Sequence, residues 1–304
     1  CRHVAELCAM KVWVLGASGM LGRTVCEALQ AASVDHVGSG HEVDIAQPEA
    51  LLAYAQTHAV THLINCAAYT KVDACETEQL QAARINADGP ARLGELSASL
   101  RLPALHISTD YVFAGDAIAP YDEAAACAPQ GVYGRTKLAG EQRFLAAGGA
   151  LVVRTSWLYG VHGNNFVATM LRLMSARPMV AVVADQVGSP CYSNDLGGAL
   201  LRLLGLLPGH PQAASGIYHY ANAGSTSWHG FAMAILQRGR ALGHRLRCEE
   251  VVALRTEQYP TAARRPAYSV LGTHKVAAAL GAPPRPWQQA LDDYLQTMAP
   301  QYGG

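Results

Sequence analysis

The chain has 304 residues, 50% of them hydrophobic, and its 23 lysines and arginines balance its 23 aspartates and glutamates. This length accommodates two domains, or one large α/β domain with an appended lobe. Zero net charge without a basic stripe argues against a nucleic-acid partner. No apolar run reaches the roughly 18 residues of a membrane span, and no signal-peptide pattern is present. We therefore expect a cytoplasmic protein with no membrane partner.

The cysteines support the same compartment. The chain has eight of them, scattered, with no Cys-x-x-Cys or Cys-His cluster at zinc-ligand spacing. We interpret them as reduced thiols of a cytosolic protein. Residues 1–9, "CRHVAELCA", have no clear place in the pattern that follows. They are interpreted as an upstream extension or a leftover expression segment.

From Lys11 onward, short apolar runs alternate with longer helical patterns. Strand and helix in alternation predict βαβ units and a parallel sheet, and nearly continuous apolar runs are typical of strands that are covered on both faces. The order is "KVWVL", a helix from Met20, "SVDHV", a helix after Pro48, "THLINCA", a long helical stretch to Leu100, "ALHIS" and "ALVVRTS".

After about Trp157 the alternation weakens. Further strand candidates are "MVAVV", "GIYHY" and "CEEVVAL", separated by helices and by loops that contain proline and glycine. The fold class predicted is α/β, a Rossmann-type doubly wound parallel sheet with a smaller C-terminal substrate-binding lobe. We expect an NAD(P)-binding Rossmann domain over 10–157 and, over 158–304, a mixed region that completes the sheet and forms the substrate lobe.

A glycine-rich loop, "GASGMLG", follows the first strand and opens the first helix. That is the context a dinucleotide fingerprint requires. Gly16 would allow the tight turn, Gly19 the approach of a pyrophosphate, and Gly22 close packing of helix on strand. The spacing is G-x-x-G-x-x-G instead of the more familiar G-x-G-x-x-G, so an ordinary glycine turn remains the alternative.

Two positions bear on the nucleoside end of such a cofactor. Asp44 and Ile45 lie beyond the second strand and suit an adenine edge. A solvated loop aspartate is an equally good interpretation of Asp44. At the end of that strand stand Gly38 and Ser39, where an NAD-selective fold often presents an acid to the ribose 2′-hydroxyl. The missing acid favours NADPH, with NADH still possible, because no arginine stands there either.

The stretch "VYGRTK" raises a catalytic possibility. On a helix, Tyr133 and Lys137 at i and i+4 lie on one face, one turn apart. A neighbouring ammonium favours the phenolate and lowers the tyrosine pKa, so that Tyr133 could deliver a proton to a carbonyl oxygen that receives hydride. Such pairs also occur on solvated helix faces, which is the alternative here.

A second stretch, "HISTDYVFAG", supports the catalytic interpretation of Tyr133 and Lys137. This stretch places Ser108, Thr109 and Asp110 at the carboxyl end of a predicted strand, where ligands bind in open α/β sheets. The alternative is a helix cap or a turn built from the hydroxyls.

Together these motifs resemble those of the dTDP-4-dehydrorhamnose reductases, a branch of the extended short-chain dehydrogenase/reductases. The resemblance runs from Met10 to about residue 297. It implies reduction of the C4 ketone of dTDP-4-dehydro-6-deoxy-L-mannose to dTDP-L-rhamnose by NAD(P)H, with a nucleotide sugar as small-molecule partner and a monomer or homodimer as assembly. The segments that carry it, in order, are "GASGMLG", "NCAAYTKVDACE", "STDYVFAG", "YGRTK", "RTSWLYG", "DQVGSPCYSNDL" and "RRPAYSVL".

The resemblance also implies roles for single residues. Tyr133 would be the proton donor, Lys137 would hold the nicotinamide ribose and lower the tyrosine pKa, and Thr109 would polarise the substrate carbonyl. Asp110, Trp157 and Arg265 would contact the substrate, although Trp157 could belong to the core and Arg265 to an exposed salt bridge. The remaining cofactor-binding candidates are Gly16, Gly19, Met20, Leu21, Gly22, Ser39, Asp44, Ile45, Ala67, Ala68, Tyr69 and Ser108.

Two departures from the family pattern matter. Cys191 stands where the family usually has a threonine, which affects details of the substrate lobe. Some members bridge a dimer through magnesium with a glutamate early in the first helix, where this chain has Arg23 and Thr24. We therefore expect no metal.

Two other functions stay open at this level. A branch that resembles this family binds NADP as a regulatory subunit of an S-adenosylmethionine-forming enzyme, and the retention of Tyr133, Lys137 and Thr109 argues against that role. The second is an extended short-chain sugar-nucleotide epimerase or dehydratase, which would keep oxidised cofactor tightly bound.

Overall fold

The computed structural model describes residues 10–206 and 214–298. Residues 1–9, interpreted above as an extension, lie outside the described residues. Within them, six strands form one sheet in the order β2-β1-β3-β4-β5-β10, and every neighbouring pair is parallel. The doubly wound parallel sheet predicted from the sequence is confirmed. Its strands are β1 (Lys11–Leu15), β2 (Asp35–Ser39), β3 (His62–Asn65), β4 (Ala104–Thr109), β5 (Leu151–Thr155) and β10 (Gly216–His219).

Helices cover both faces of this sheet. Alternate residues of β1 show why: Val12 and Val14 belong to the core on one face, and Trp13 and Leu15 to the core on the other. None of the described helices is both long enough and apolar enough to cross a membrane. The helices are α1 (Met20–Ala31), α2 (Pro48–Thr57), α3 (Gln79–Ala83), α4 (Gly89–Leu100), α5 (Val132–Ala146), α6 (Phe166–Ala176), α7 (Ser193–Leu203), α8 (Trp228–Ala241), α9 (His274–Leu280) and α10 (Trp287–Met298).

The second half of the chain contributes both to the main sheet and to a second hydrophobic core. β10, α7 and α9 pack with the main sheet, whereas α6, α8 and α10 enclose a separate core that is rich in aromatic side chains. The described residues also form three two-stranded sheets, two of which contribute side chains to that second core. They pair β6 (Leu158–Tyr159) with β9 (Cys191–Tyr192), β7 (Met179–Val183) with β12 (Glu250–Leu254), and β8 (Val187–Gly188) with β11 (Thr226–Ser227).

The long helical stretch predicted to end at Leu100 is interrupted. A π-helical turn, Arg84–Asp88, separates α3 from α4. Asn86 in this turn is fully buried, and its side chain accepts a hydrogen bond from the Tyr69 N–H at 2.8 Å and donates one to the Tyr69 carbonyl at 3.0 Å. Such turns are frequent near functional sites. This one ties the loop after β3 to the helical layer.

A buried ion pair joins α5 to β5. Arg154 Nη2 lies 2.7 Å from Glu141 Oε2, and Arg154 Nε lies 3.0 Å from Glu141 Oε1, with side-chain exposures of 3% and 1%. Removing one partner of such a pair leaves an uncompensated buried charge. We expect Glu141→Gln to lower the free energy of unfolding by about 3 kcal/mol, measured by urea denaturation.

The matched control is the same substitution in an exposed pair. Glu95 is bound by Arg92 one turn away on α4, with both side chains largely exposed. Glu95→Gln should change stability by less than about 1 kcal/mol, because exposed ion pairs contribute little. Equal effects of the two substitutions would contradict the structural role given to Glu141.

Candidate active site

Two adjoining cavities lie at the carboxyl ends of the central strands, where the sheet order reverses between β1 and β3. Their volumes are about 460 and 330 Å³. Both are lined by Gly19, Cys66 and Ala68, so they form one continuous cleft. Ligands of open α/β sheets bind at this position. We call the larger part the catalytic cavity and the smaller part the nucleoside cavity.

The glycine loop is shaped by close backbone contacts. Gly16 has a φ of +74°, and a Cβ there would lie 2.7 Å from the Ala67 nitrogen. A Cβ on Gly22 would lie 2.1 Å from the Gly16 carbonyl oxygen, so α1 packs directly on the loop. α1 begins at Met20 with no side-chain cap and no acidic residue in its first turn. Its N–H groups are therefore available to an anion such as a pyrophosphate.

Buried oxygens also point to a missing partner. Ser108 Oγ, Asp110 Oδ2 and Thr155 Oγ1 are buried and have no partner at hydrogen-bond geometry among the described residues, although Ser269 lies beside Asp110 and Cys191 beside Thr155. All three residues line the catalytic cavity. An unpaired buried polar atom costs about 1–3 kcal/mol. These oxygens and the open helix N-terminus fit a polar ligand that spans both cavities, as a dinucleotide would.

The nucleoside cavity contains seven of the predicted cofactor residues: Gly16 and Gly19 of the glycine loop, together with Asp44, Ile45, Ala67, Ala68 and Tyr69. Asp44 is already engaged there. Its carboxylate accepts a hydrogen bond from the Ala46 N–H at 3.0 Å and is paired with Arg84 from the π-helical turn. Arg84 lines the same cavity, which the sequence did not reveal because it is 40 residues away from Asp44.

Ser39 does not reach either cavity. It is 2% exposed, and its hydroxyl accepts a hydrogen bond from Trp13 Nε1 at 2.9 Å. A carboxylate lies nearby instead: Glu42 Oε1 accepts a hydrogen bond from the Gly40 N–H at 2.6 Å, and Gly40 lines the nucleoside cavity. The sequence missed this acid because it stands beyond the end of β2 and turns back.

Tyr133 and Lys137 come from α5 as predicted and both line the catalytic cavity. Small residues let α5 approach closely. A Cβ on Gly134 would lie 2.2 Å from the Tyr111 carbonyl oxygen, and a Cβ on Gly140 would lie 2.0 Å from that of Asn86. α5 is thereby fixed against the strand ends and the π-helical turn.

Lys137 does not lower the pKa of Tyr133 as the sequence predicted. Burial raises the pKa of Tyr133, a hydrogen bond with the Thr109 hydroxyl lowers it in part, and the Asp110 charge raises it further. Lys137 Nζ donates to the Ile107 carbonyl at 2.6 Å and lies 3.2 Å from His106 Nε2. At neutral pH Tyr133 therefore carries its phenol proton, the form that a proton donor needs.

Thr109 and Asp110 lie at the end of β4 and face the same cavity. The Thr109 hydroxyl donates to Asp110 Oδ1 at 3.0 Å and accepts from the Tyr111 N–H at 3.2 Å, so it also caps the short turn Asp110–Val112, as the alternative reading expected. Burial raises the pKa of Asp110 to about 6, an effect that hydrogen bonds with Ser269 and Thr109 partly offset. This carboxyl therefore titrates near neutral pH.

Trp157 lines the catalytic cavity and is also packed against another aromatic ring. Its indole stacks on Trp228 with ring centroids 3.5 Å apart and an interplanar angle of 5°. Its φ of +43° is in the left-handed region, which is strained for a bulky residue. Gly188 leaves room for the ring, since a Cβ there would lie 2.4 Å from it.

Arg265, the fourth predicted substrate contact, is engaged in an ion pair. Arg265 donates to Asp73 Oδ2 at 2.7 Å and to the Ala263 carbonyl at 3.1 Å, and it lines neither cavity. The ion pair, which was the alternative reading of Arg265, is thus present. It connects the loop after β3 to the C-terminal segment.

The positions of the family's magnesium glutamate have other contacts here. Arg23 Nε donates to the Ser18 carbonyl at 3.1 Å, and the Thr24 and Ser193 hydroxyls are 3.1 Å apart, which joins α1 to α7. Across 10–206 and 214–298, no group of three or more His, Cys, Asp or Glu side chains could hold a metal ion. Cys191 is fully buried in the core beneath the sheet edge.

Comparison with known proteins gives a consistent result. The family model described as "RmlD substrate binding domain" matches residues 10–299. The dTDP-4-dehydrorhamnose reductase of Mycolicibacterium smegmatis is 41% identical, over 96% of this chain and 87% of that protein. A Streptomyces antibioticus protein described as a probable dTDP-4,6-dihydroxy-2-methyloxan-3-one 4-ketoreductase is 40% identical, over 93% of each chain.

Among solved structures, the dTDP-4-dehydrorhamnose reductase (rfbD) of Bacillus anthracis str. Ames in complex with NADP superposes with a TM-score of 0.86. It is 36% identical and covers 94% of this chain and 98% of its own. Sequence match, fold and the convergence of Tyr133, Lys137 and Thr109 in one cavity agree. The chain belongs to the dTDP-4-dehydrorhamnose reductase family.

Proposed function

We propose that this protein reduces the C4 ketone of dTDP-4-dehydrorhamnose to dTDP-L-rhamnose, with NADPH as the reductant. The observation that carries the proposal is the placement of Tyr133, Lys137 and Thr109 in one cavity with the open N-terminus of α1. The family relationship supports the substrate class. The sequence further leads us to infer a cytosolic monomer or homodimer.

Separate residues would bind the cofactor and donate the proton. The first turn of α1 would hold the pyrophosphate of the cofactor, Asp44 and Ile45 would contact its adenine, and Lys137 its nicotinamide ribose. When bound, NADPH supplies the hydride that reduces the ketone carbon. Tyr133 then donates its phenol proton to the ketone oxygen, so that its O–H bond breaks as the product O–H bond forms.

Neighbouring groups prepare Tyr133 for this step. Burial keeps the phenol protonated. The Thr109 hydroxyl would support the same ketone oxygen by turning its single proton from Asp110 Oδ1 to that oxygen. Trp157, stacked on Trp228, forms an apolar wall of the cavity. Because this wall excludes water, it strengthens the electrostatic interactions inside the cavity.

The decisive test is an assay with dTDP-4-dehydrorhamnose made in situ. Purified protein should oxidise NADPH, followed by loss of the reduced-nicotinamide absorbance, and form dTDP-L-rhamnose. Binding of NADP without turnover would support the regulatory-subunit function instead. Tightly bound oxidised cofactor in the purified protein would support an epimerase or dehydratase.

We predict a modest preference for NADPH over NADH. Arg84 lines the nucleoside cavity and favours a phosphate, whereas the Glu42 carboxylate near Gly40 opposes one. The ratio of kcat/KM for NADPH over NADH should stay below about tenfold, equivalent to roughly 1.4 kcal/mol. Glu42→Gln, which removes the opposing charge, should increase this ratio.

Steady-state kinetics with both cofactors measure the ratio. A preference for NADH above about tenfold in the unmodified protein would contradict the prediction. A ratio that Glu42→Gln leaves unchanged would show that Glu42 plays no part in it.

A further inference from the structure

Two buried side chains that the proposed mechanism does not use, Asn65 and His106, form a hydrogen-bonded series that ends at Lys137. His106 on β4 is fully buried, with Asn65 on one side of its ring and Lys137 on the other. Asn65 Nδ2 lies 2.9 Å from His106 Nδ1, and Lys137 Nζ lies 3.2 Å from His106 Nε2. Asn65 and His106 are direct partners in the β3–β4 register, so the contact is built into the sheet.

The hydrogen bonds decide which ring nitrogen carries the proton. Asn65 Oδ1 accepts a hydrogen bond from the Ala67 N–H at 3.0 Å. A backbone N–H can only donate, so the amide of Asn65 is fixed with its Nδ2 toward His106. Nδ2 is a donor, and His106 Nδ1 must accept from it. The proton of the neutral ring is therefore on Nε2.

This tautomer constrains Lys137. His106 Nε2–H points at Nζ, and an ammonium there would place two donors against each other. A neutral amine satisfies every contact: it accepts from His106 Nε2–H and donates to the Ile107 carbonyl. We infer that Asn65 and His106 are positioning residues for Lys137, in which Asn65 sets the His106 tautomer and His106 donates a hydrogen bond to the Lys137 amine.

Other groups that face Lys137 act in both directions. Burial lowers the pKa of Lys137 to about 8, whereas the charge of Glu141 on α5 raises it. The Cys66 thiol after β3 is neutral at this pH, because burial raises its pKa. Tyr133, one turn earlier on α5, lines the same cavity and is neutral at this pH. Burial lowers the pKa of His106, and the charge that Lys137 carries when it is protonated lowers it further, so the His106 ring stays neutral in both forms of Lys137.

The consequence for the reaction rests on the proposed function. Each reduction consumes one proton, and the proton that Tyr133 gives up has to be replaced before the next turnover. An exposed lysine is a permanent cation near neutral pH. Lys137, whose buried amine has a pKa of about 8, can instead release and take back a proton there.

Carbon-13 NMR of protein labelled at lysine Cε tests the inference without substrate or cofactor. The chain has only four lysines, Lys11, Lys71, Lys137 and Lys275, and Lys137→Met assigns the signal of interest. We expect Lys137 to titrate near pH 8. Nitrogen-15 NMR should show the His106 ring, assigned with His106→Gln, as the Nε2–H tautomer.

Two substitutions then move the equilibrium. In His106→Gln the amide can present its oxygen to Nζ, which favours the ammonium and should move the Lys137 midpoint upward by about one unit or more. In Asn65→Asp both carboxylate oxygens accept, so the His106 proton should move to Nδ1 and the Lys137 midpoint should again rise. Asn65→Asp keeps the shape of the side chain and still reports if His106→Gln fails to fold.

The matched control is His62→Gln, because His62 is on the neighbouring strand β3 and its ring contacts Thr61. It should leave the Lys137 midpoint in place. An Nδ1–H tautomer in the unmodified protein, or a Lys137 signal that titrates together with the other three lysines, would overturn the inference. Either result leaves the reductase assay untouched, and failure of that assay leaves the NMR result standing.

Discussion

Replacing Tyr133 with phenylalanine should lower kcat by about 10²-fold or more, the usual range for loss of a general acid. The substitution removes one hydroxyl and keeps the ring, which packs edge-on to Tyr111 with centroids 5.5 Å apart. Folding and cofactor binding should therefore survive. The measurements are steady-state kinetics with NADPH and the keto sugar nucleotide, together with a thermal denaturation curve.

The matched control removes a tyrosine hydroxyl far from the cleft. Tyr218 is on the edge strand β10, where its ring lies 4.3 Å from Lys275 Nζ. Tyr218→Phe should leave kcat within about a factor of two, because Tyr218 is half-buried on β10 and lines neither cavity of the cleft. If Tyr133→Phe were folded and equally active, the reductase mechanism would fail and the regulatory-subunit function would become the better proposal.

The sequence predicted the sheet well because its signals are local. Short apolar runs define β1, β3 and β4, and the glycine loop marks the start of α1. Carboxyl ends of parallel strands lie at one edge of a sheet, so strand order and motif position are enough to bring Thr109 and Tyr133 to a common cleft.

What the sequence missed depends on contacts between distant residues. His106 and Lys137 are 31 positions apart, and Asn65 and His106 are 41 apart. Periodicity shows only that Asn65 and His106 belong to strands, and the register of those strands decides that they touch. The left-handed backbone of Trp157 had no sequence signal either, and the contacts that accompany it, the stacking on Trp228 and the close approach to Gly188, join distant residues.

The expected direction of the Tyr133 pKa was wrong for a related reason. A helical spacing of four residues predicted an electrostatic pair with Lys137, but it carries no information about depth. In the structure, burial has the largest effect on the pKa of Tyr133. The Lys137 side chain is 2% exposed and is directed at Ile107 and His106. The pair remains in one cavity, with a proton donor that stays protonated and a lysine that titrates.

Replacing Lys137 with methionine should therefore be severe, with kcat/KM lowered by about 10³-fold, or roughly 4 kcal/mol of transition-state stabilisation. Methionine is unbranched and apolar, so it suits the buried position. It removes both the proposed ribose contact and the titrating amine. We expect the KM for NADPH to rise and kcat to fall, and any limb of the pH profile near pH 8 that reports Lys137 should disappear.

The control is Lys275→Met, the same change at the lysine that contacts Tyr218 and the Ile217 carbonyl on β10. It should leave both kinetic constants within about a factor of two. A rise in the NADPH KM alone would leave Lys137 only its binding role. A fall in kcat with unchanged KM would remove the ribose contact from the proposal. Only the combined loss, with the pH limb gone, is consistent with a lysine that binds the cofactor and exchanges a proton near neutral pH.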